Sequence, residues 1–292
     1  MEVLATIARQ KYLPWEPLLL LPIGDIQFDA SGAADLKRLA NQLAWGMERN
    51  AYFIGMGDFV DFLSPSNRDR LAQAGLYDTA SGVIDQAATR LEDELFELLK
   101  PTVGRWVGLL EGHHYFNHAD GTTSDTRFAE RLRAPYLGTC ALVRISFRDR
   151  YKNSSAGSTS VLLWVHHGHG GSGSLPTAGL NKLYHQKVRY PGMRLFLMGH
   201  VPQLGHTVTD GLDVPARGEP YLIHEDTHYV LTGGFSRSYQ QGSQLAGRAQ
   251  GNYAEKAMMP PAVLGGAVIT LTPEKHSTHN TSYRTVDIKV SS

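Results

Sequence analysis

Short apolar runs that end on a polar residue beside glycine punctuate this chain. Leu18–Ile23 runs into Gly24-Asp25, and Tyr52–Met56 into Gly57-Asp58. Trp106–Leu110 runs into Glu111-Gly112-His113-His114, Val161–Val165 into His166-His167-Gly168-His169, and Leu195–Met198 into Gly199-His200. Runs this short, bounded by turn residues, predict buried strands. Between the first two, Leu36, Leu39, Ala40, Leu43 and Met47 recur at helical spacing, with Ser31 as the expected cap. Strand, helix, strand predicts a parallel βαβ unit that brings Asp25 and Asp58 to one sheet edge.

The clearest helix spans Ser81 to Lys100, with Val83, Ile84, Ala87, Leu91, Leu95, Leu98 and Leu99 as its buried stripe and Pro101 as its stop. Ser64–Arg68 reads as a loop or a helix start, and Thr126–Leu132 and Leu180–Lys187 as short helices. Leu142–Phe147 and Val161–Val165 flank a polar, Ser/Gly-rich stretch, which signals a hairpin. The nearly all-Gly/Ser loop Gly168–Ser174 lets backbone approach a ligand closely. Tyr229–Thr232 and Val263–Leu271 read as hairpin-like segments. The fold class is α/β, one domain over 1–292, with a C-terminal extension of strands and loops from about 211.

Composition narrows the function. The 292 residues are 42% hydrophobic and 19% charged, ordinary for a soluble globular protein. Lys+Arg and Asp+Glu are both 28, so no global basic field coats nucleic acid, although a local groove stays open. The single cysteine, Cys140, allows neither an intramolecular disulfide nor a thiolate cluster, and its apolar neighbours mark it as a core residue. Met1–Lys11 lacks the head, apolar stretch and cleavage site of a signal peptide. Leu18–Ile23 is far shorter than the roughly 20 residues that span a bilayer. The expectation is a cytoplasmic protein with no membrane partner.

Asp25, Asp58, His113, His167 and His200 thus all stand at the ends of strand-like runs, where open α/β sheets form their sites. Carboxylate and imidazole without thiolate suit manganese, zinc, iron or nickel. Two such ions about 3.5–4 Å apart clamp a transferring phosphoryl group. Adjacent residues leaving a strand point in different directions, so His113 and His114 divide the work, one toward metal and one toward substrate. Asp25 and Asp58 as helix caps, and His113 as a plain loop residue, are the structural alternatives. His166 faces opposite His167 and reads as structural, Asp61 as a brace, and His118, His185, His276 and His279 as surface residues. His169, Arg68 and Arg237 are weak candidates for substrate contacts.

In order, Gly24-Asp25-Ile26-Gln27, Gly57-Asp58-Phe59-Val60-Asp61, Glu111-Gly112-His113-His114, His167-Gly168-His169 and Gly199-His200-Val201-Pro202 resemble the five signature blocks of the calcineurin-like metallophosphoesterases. The resemblance spans 18 to about 210 and implies a β-sandwich of two mixed sheets flanked by helices. It implies Asp58 bridging two divalent metals, Asp25 on the first, and His113, His167 and His200 completing the second. His114 matches the family's non-ligand histidine that faces the scissile phosphate. Gln27 and Pro202 stand where the family has histidines, so one or two ions fit. Gln27 can ligate through its amide oxygen, and Gln203 or His206 can stand in for Pro202. Tyr115 replaces the acid that usually orients His114. Gly234–Gly265, with Tyr253-Ala254-Glu255-Lys256 and Pro260-Pro261, is similar to tails of phage and prophage phosphoesterases. The resemblance implies a phosphodiesterase or nuclease acting on a phosphoester substrate. The other reading is a degraded scaffold that binds nucleic acid or nucleotide without turnover.

Overall fold

The computed structural model describes residues 2–4, 13–29, 31–148, 157–170, 175–201, 203–214, 220–242, 244–245, 248–249, 253–256, 258, 260–277 and 282–291. In chain order, β1 (Glu2–Leu4), β2 (Leu13–Pro14) and β3 (Leu18–Ile23) lead to α1 (Leu36–Glu48), β4 (Tyr52–Gly55), α2 (Pro65–Gln73) and α3 (Asp78–Leu99). Next come β5 (Trp106–Leu109), α4 (Ser124–Arg131), β6 (Cys140–Arg148), β7 (Ser158–His166), α5 (Thr177–Lys187), β8 (Leu195–Met198) and β9 (Leu204–Thr209). The short pair β10 (Leu212–Asp213) and β11 (Ile223–His224) precedes β12 (Thr227–Gly234), and the pair β13 (Gln244–Leu245) and β14 (Arg248–Ala249) follows it. The last elements are α6 (Tyr253–Lys256), β15 (Gly265–Gly266), β16 (Val268–Ser277) and β17 (Ser282–Ser291).

Two mixed sheets carry the structure. One runs β1-β6-β7-β8-β12-β15, with β2 also on β6 and β9 also on β12; the other runs β17-β16-β3-β4-β5. Alternation along the strands sets the layers. Leu20, Ile54, Val143, Leu163, Leu197, Val230 and Ile269 meet in one core between the sheets. Leu21, Ile23, Phe53 and Trp106 face the other way, onto Leu39 and Leu43 of α1, Leu95 and Leu99 of α3 and Phe128 of α4. Phe196, Met198, Tyr229 and Leu231 pack on Leu183 of α5. Both sheets therefore have helices on their outer faces. With both faces covered, β8 is buried along its whole length, and its sequence is a continuous apolar run rather than an alternating one.

The expected βαβ unit is present: β3 pairs parallel with β4, and β4 parallel with β5. The β6–β7 hairpin is present too, although its turn lies outside the described residues. Several expectations need correction. Ser31 bonds Asp29 instead of capping α1. The cap is Asp35, whose carboxylate accepts the Arg38 N–H at 3.1 Å. The buried stripe of α3 is Ala88, Glu92, Leu95 and Leu99, while Val83 is 62% exposed. His118, expected at the surface, is 4% exposed. Its ring nitrogens are committed to Asp85 at 3.0 Å and Glu92 at 2.5 Å, and this pairing lets a glutamate occupy a core-facing position. Tyr229–Thr232 and Val263–Leu271 do not form simple hairpins: they meet where β12 pairs with β15 and Ala267 N–H donates to Thr232 O at 3.3 Å, and each lies within a larger sheet. β12 sits inside one sheet between β8 and β15, and β16 inside the other between β17 and β3. The segment after 211 is thus woven into both sheets. No helix among the described residues is long and apolar enough to cross a membrane.

Candidate metal centre

Five strand ends converge. Asp25 follows β3, Asp58 follows β4, His113 and His114 follow β5, His167 follows β7, and His200 follows β8. Asp25, Asp58 and His200, together with Gln27, adopt positive φ of 46°, 53°, 64° and 48°. Non-glycine residues rarely sit there, and they cluster where a site over-determines the backbone. Here the sharp turns are held by hydrogen bonds between the loops. Asp25 N–H donates to Gly57 O at 3.0 Å, Gln27 N–H to Asp58 O at 2.9 Å, and Phe235 N–H to Asp25 O at 2.9 Å.

The side chains continue this network. Asp58 Oδ1 accepts the backbone N–H groups of His113 at 2.5 Å and His114 at 3.0 Å. Asp25 Oδ2 accepts the His200 N–H at 2.9 Å. His167 Nδ1 donates to Met56 O at 2.6 Å, which turns Nε2 into the site. Two groups of candidate ligands result, each with donor atoms within 4.8 Å of one another: Asp25, Asp58 and His167, and His113, His167 and His200. His167 belongs to both. Asp58 Oδ1 is consumed by two N–H groups, so only Oδ2 is left for a ligand. Asp58 Oδ2, Asp25 Oδ1 and His167 Nε2 are buried atoms without a hydrogen-bond partner. Nε2 lies 3.3 Å from Asp58 Oδ2 but is not aligned for a bond. Such orphans cost free energy unless something else satisfies them, and far more so when charged.

Electrostatics fit a cation. Burial pushes the Asp25 carboxyl up to about 7, with His167 opposing and Asp58 adding to the rise. Burial also works against the Asp58 charge, yet His167 and His114 hold its carboxyl below the usual range. Burial and the neighbouring His167 bring His113 and His200 down to about 4, which leaves both rings neutral, the form that ligates metal. Burial disfavours charge on His167, but Asp58 and Asp25 outweigh it and raise the ring to about 9. Positive charge is therefore favoured at the Nε2 position, and a metal ion competes there with a proton.

His114 has an acid after all. Its Nδ1 lies 2.6 Å from Asp61 Oδ1, so the brace expected of Asp61 falls on this ring. Burial lowers the imidazole, and the Asp61 bond together with Asp58 overcomes this and raises it. Gln27 is half-buried, and its amide makes no hydrogen bond among the described residues. His169 is exposed, with its ring 6.1 Å from that of His113. His166 is structural, accepting the Gly168 N–H at 2.7 Å and stacking on Trp164.

Other candidates are tied up elsewhere. Arg68 Nη1 donates to the carbonyls of Leu63, His113 and Tyr115, so it holds the His113–Tyr115 turn in place. Arg237 pairs with Asp35 at 3.1 Å beside the α1 cap. Pro202 lies outside the described residues. His206, considered as its substitute, stacks on His228 with ring centroids 5.2 Å apart, its Nε2 lies 3.1 Å from His228 Nδ1, and it belongs to neither ligand group.

Asp125 is absent from the sequence reading. It is buried in the first turn of α4 and accepts the Gly112 N–H at 2.7 Å. Its only signal is an acid next to a cap, which is indistinguishable from a solvated one. A Cβ on Gly112 would lie 2.1 Å from both Asp58 N and Asp58 Oδ1. Gly112→Ala is therefore expected to destabilise the protein by about 1–3 kcal/mol or more, read as a lower urea midpoint. An unchanged midpoint would contradict the close approach.

No family profile matches the chain, and no curated protein matches it. Among solved structures it is similar to a Plasmodium protein described as GAP50, the anchor in the inner membrane complex. That likeness has 10% identity, covers 94% of this chain and 90% of that one, and has a TM-score of 0.41. The functional reading therefore rests on the site.

Proposed function

We propose that the chain is a metal-dependent phosphoester hydrolase of the calcineurin-like metallophosphoesterase type, acting on phosphodiesters, nucleic acid among them. The observation that carries the reading is the set of three partnerless buried atoms, on Asp25, Asp58 and His167, within one ligand group. Asp25, Asp58 and His167 would hold one divalent ion, with Gln27 as a further candidate. His113 and His200, with His167, offer an imidazole set for another. Nitrogen and oxygen donors without thiolate favour manganese, zinc, iron or nickel. A cation held by these residues would supply positive charge to a phosphoryl oxygen and lower the pKa of a water beside it.

The chain's own residues do the rest. His114, oriented by Asp61 and raised toward its protonated form, would stabilise charge on the phosphoryl group and protonate the leaving oxygen. Asp58 fixes the turn that carries His113 and His114, so ligand and proton donor move together. The strained backbone at Asp25, Asp58 and His200 keeps the donors pre-positioned. Protein supplied with manganese or nickel is expected to hydrolyse bis(p-nitrophenyl) phosphate and to retain one or two metal ions per chain by elemental analysis. Protein that retains none, and is inert with manganese, zinc, iron and nickel, would overturn the reading and leave the non-catalytic binding scaffold.

A further inference from the structure

A cavity of about 370 Å³ lies between α2, α3 and the segment 116–119. That volume sits in the lower part of the range of about 300–1,000 Å³ for small-molecule sites. Leu63, Leu71, Leu76, Ile84 and Phe116 give it apolar walls, and Asp85 gives it one carboxylate. Arg68 forms part of the wall, but its Nη1 is engaged by three backbone carbonyls and its guanidinium lies over the Tyr115 ring, 3.8 Å from the centroid. An anionic group would thus meet a carboxylate and a committed arginine.

Asp85 is rigidly set. Its Oδ1 accepts from the Ala119 N–H at 3.1 Å and faces His118 Nδ1 at 3.0 Å. His118 is anchored in turn by Glu92, which lies 3.7 Å from Arg127. Asp85 Oδ2 makes no hydrogen bond among the described residues, and the side chain is 28% exposed. It is a fixed acceptor at the end of an apolar slot. The Phe116 ring is engaged edge-on by Phe62 and His118, which leaves no aromatic cage for a quaternary ammonium.

The slot is also close to the metal centre. His114 and Asn117, which lines the cavity, are three residues apart, so their Cα atoms are at most about 11 Å from each other. That bound puts both residues within reach of a single nucleotide-sized ligand. We propose that this cavity is the subsite for the organic group of the phosphoester, and that it takes a nucleobase. The base lies flat between the apolar walls and donates an N–H to Asp85 Oδ2, the recognition a carboxylate makes with an exocyclic base amine. Asn117, exposed at the rim, meets the remaining polar edge in either sense. This assignment rests on the phosphoester reading of the neighbouring site, but the base-binding event needs no metal.

The test is calorimetric titration of the full chain in EDTA with adenosine, guanosine and cytidine, and with choline and ethanolamine as contrasts. At least one nucleoside is expected to bind saturably. Ala72→Trp, introduced from the exposed side of α2 to fill the slot, weakens it about tenfold or more, and so does Asp85→Asn. The proposal is overturned if no nucleoside binds at millimolar concentration, if Ala72→Trp leaves binding unchanged, or if choline or ethanolamine binds more tightly. Metal content and hydrolysis, measured on EDTA-free protein resupplied with manganese or nickel, decide the phosphoester reading separately. A protein that binds nucleosides yet retains no metal and turns nothing over keeps the base site and loses the hydrolase.

Discussion

Asp58→Ala is expected to reduce metal-dependent phosphodiester hydrolysis by at least about 10³-fold and to strip metal from the protein. The effect is large because one carboxylate does two jobs. Oδ2 is the partnerless atom facing His167, and Oδ1 holds the N–H groups of His113 and His114. Alanine removes a candidate ligand and frees the turn carrying the next ligand and the proton donor. It also leaves buried donors unmet, at about 1–3 kcal/mol each. Asp58→Asn separates the two jobs. Asparagine keeps an acceptor for the two N–H groups but loses the charge, so its urea midpoint is expected near that of the wild type while metal occupancy falls. Elemental analysis of both variants beside their rates is the measurement. Full metal and activity in Asp58→Asn would remove Asp58 from the site.

His114→Ala should lower the rate by about 10²–10⁴-fold with little change in bound metal, because His114 belongs to neither ligand group. Asp61→Asn tests the brace through pH. Asp61 helps raise the His114 imidazole, so the ring stays protonated to higher pH than it would alone. Weakening that support lowers the folded-state value. A proton donor is active below its pKa, so the alkaline fall in rate should begin at lower pH in Asp61→Asn. A profile identical to that of the wild type would mean that His114 donates no proton in the rate-limiting step.

The site was legible at the strand ends because glycine punctuation and residue type are local signals. Asp25, Asp58, His113, His167 and His200 needed only their own neighbours to be read. The Asp61 brace was anticipated as a brace, but not whom it serves, since the spacing from 61 to 114 carries no period. Burial of Glu92 and His118 runs against their polar type and follows from their pairing with each other, with Asp85 on the other nitrogen of His118 and Arg127 beside Glu92. The α3 stripe shifted for a related reason. Periodicity marks an apolar face, but the first turns of the helix lie against α2 and the 116–119 segment rather than the sheet core, so Ile84 lines a cavity and Val83 is exposed. The placement of β16 was beyond reach because it joins β3, far away in sequence, as Ile269 joins Leu20.

That distant pairing has a consequence for how the protein is made. Every candidate ligand has been translated by His200, yet Phe235 donates to the carbonyl of Asp25, and β12 lies against β8 in the sheet that carries His167 and His200. The strand β16, which pairs with β3, comes later still. At about 5–20 residues per second, β3 waits on the order of 10 to 50 s for that neighbour. During this interval the Leu18 and Leu20 face has no finished second sheet to cover it, and a nascent chain in that state is prone to aggregate. A gene fragment ending just after His200 is expected to encode all five strand-end candidate ligands and still not assemble the site.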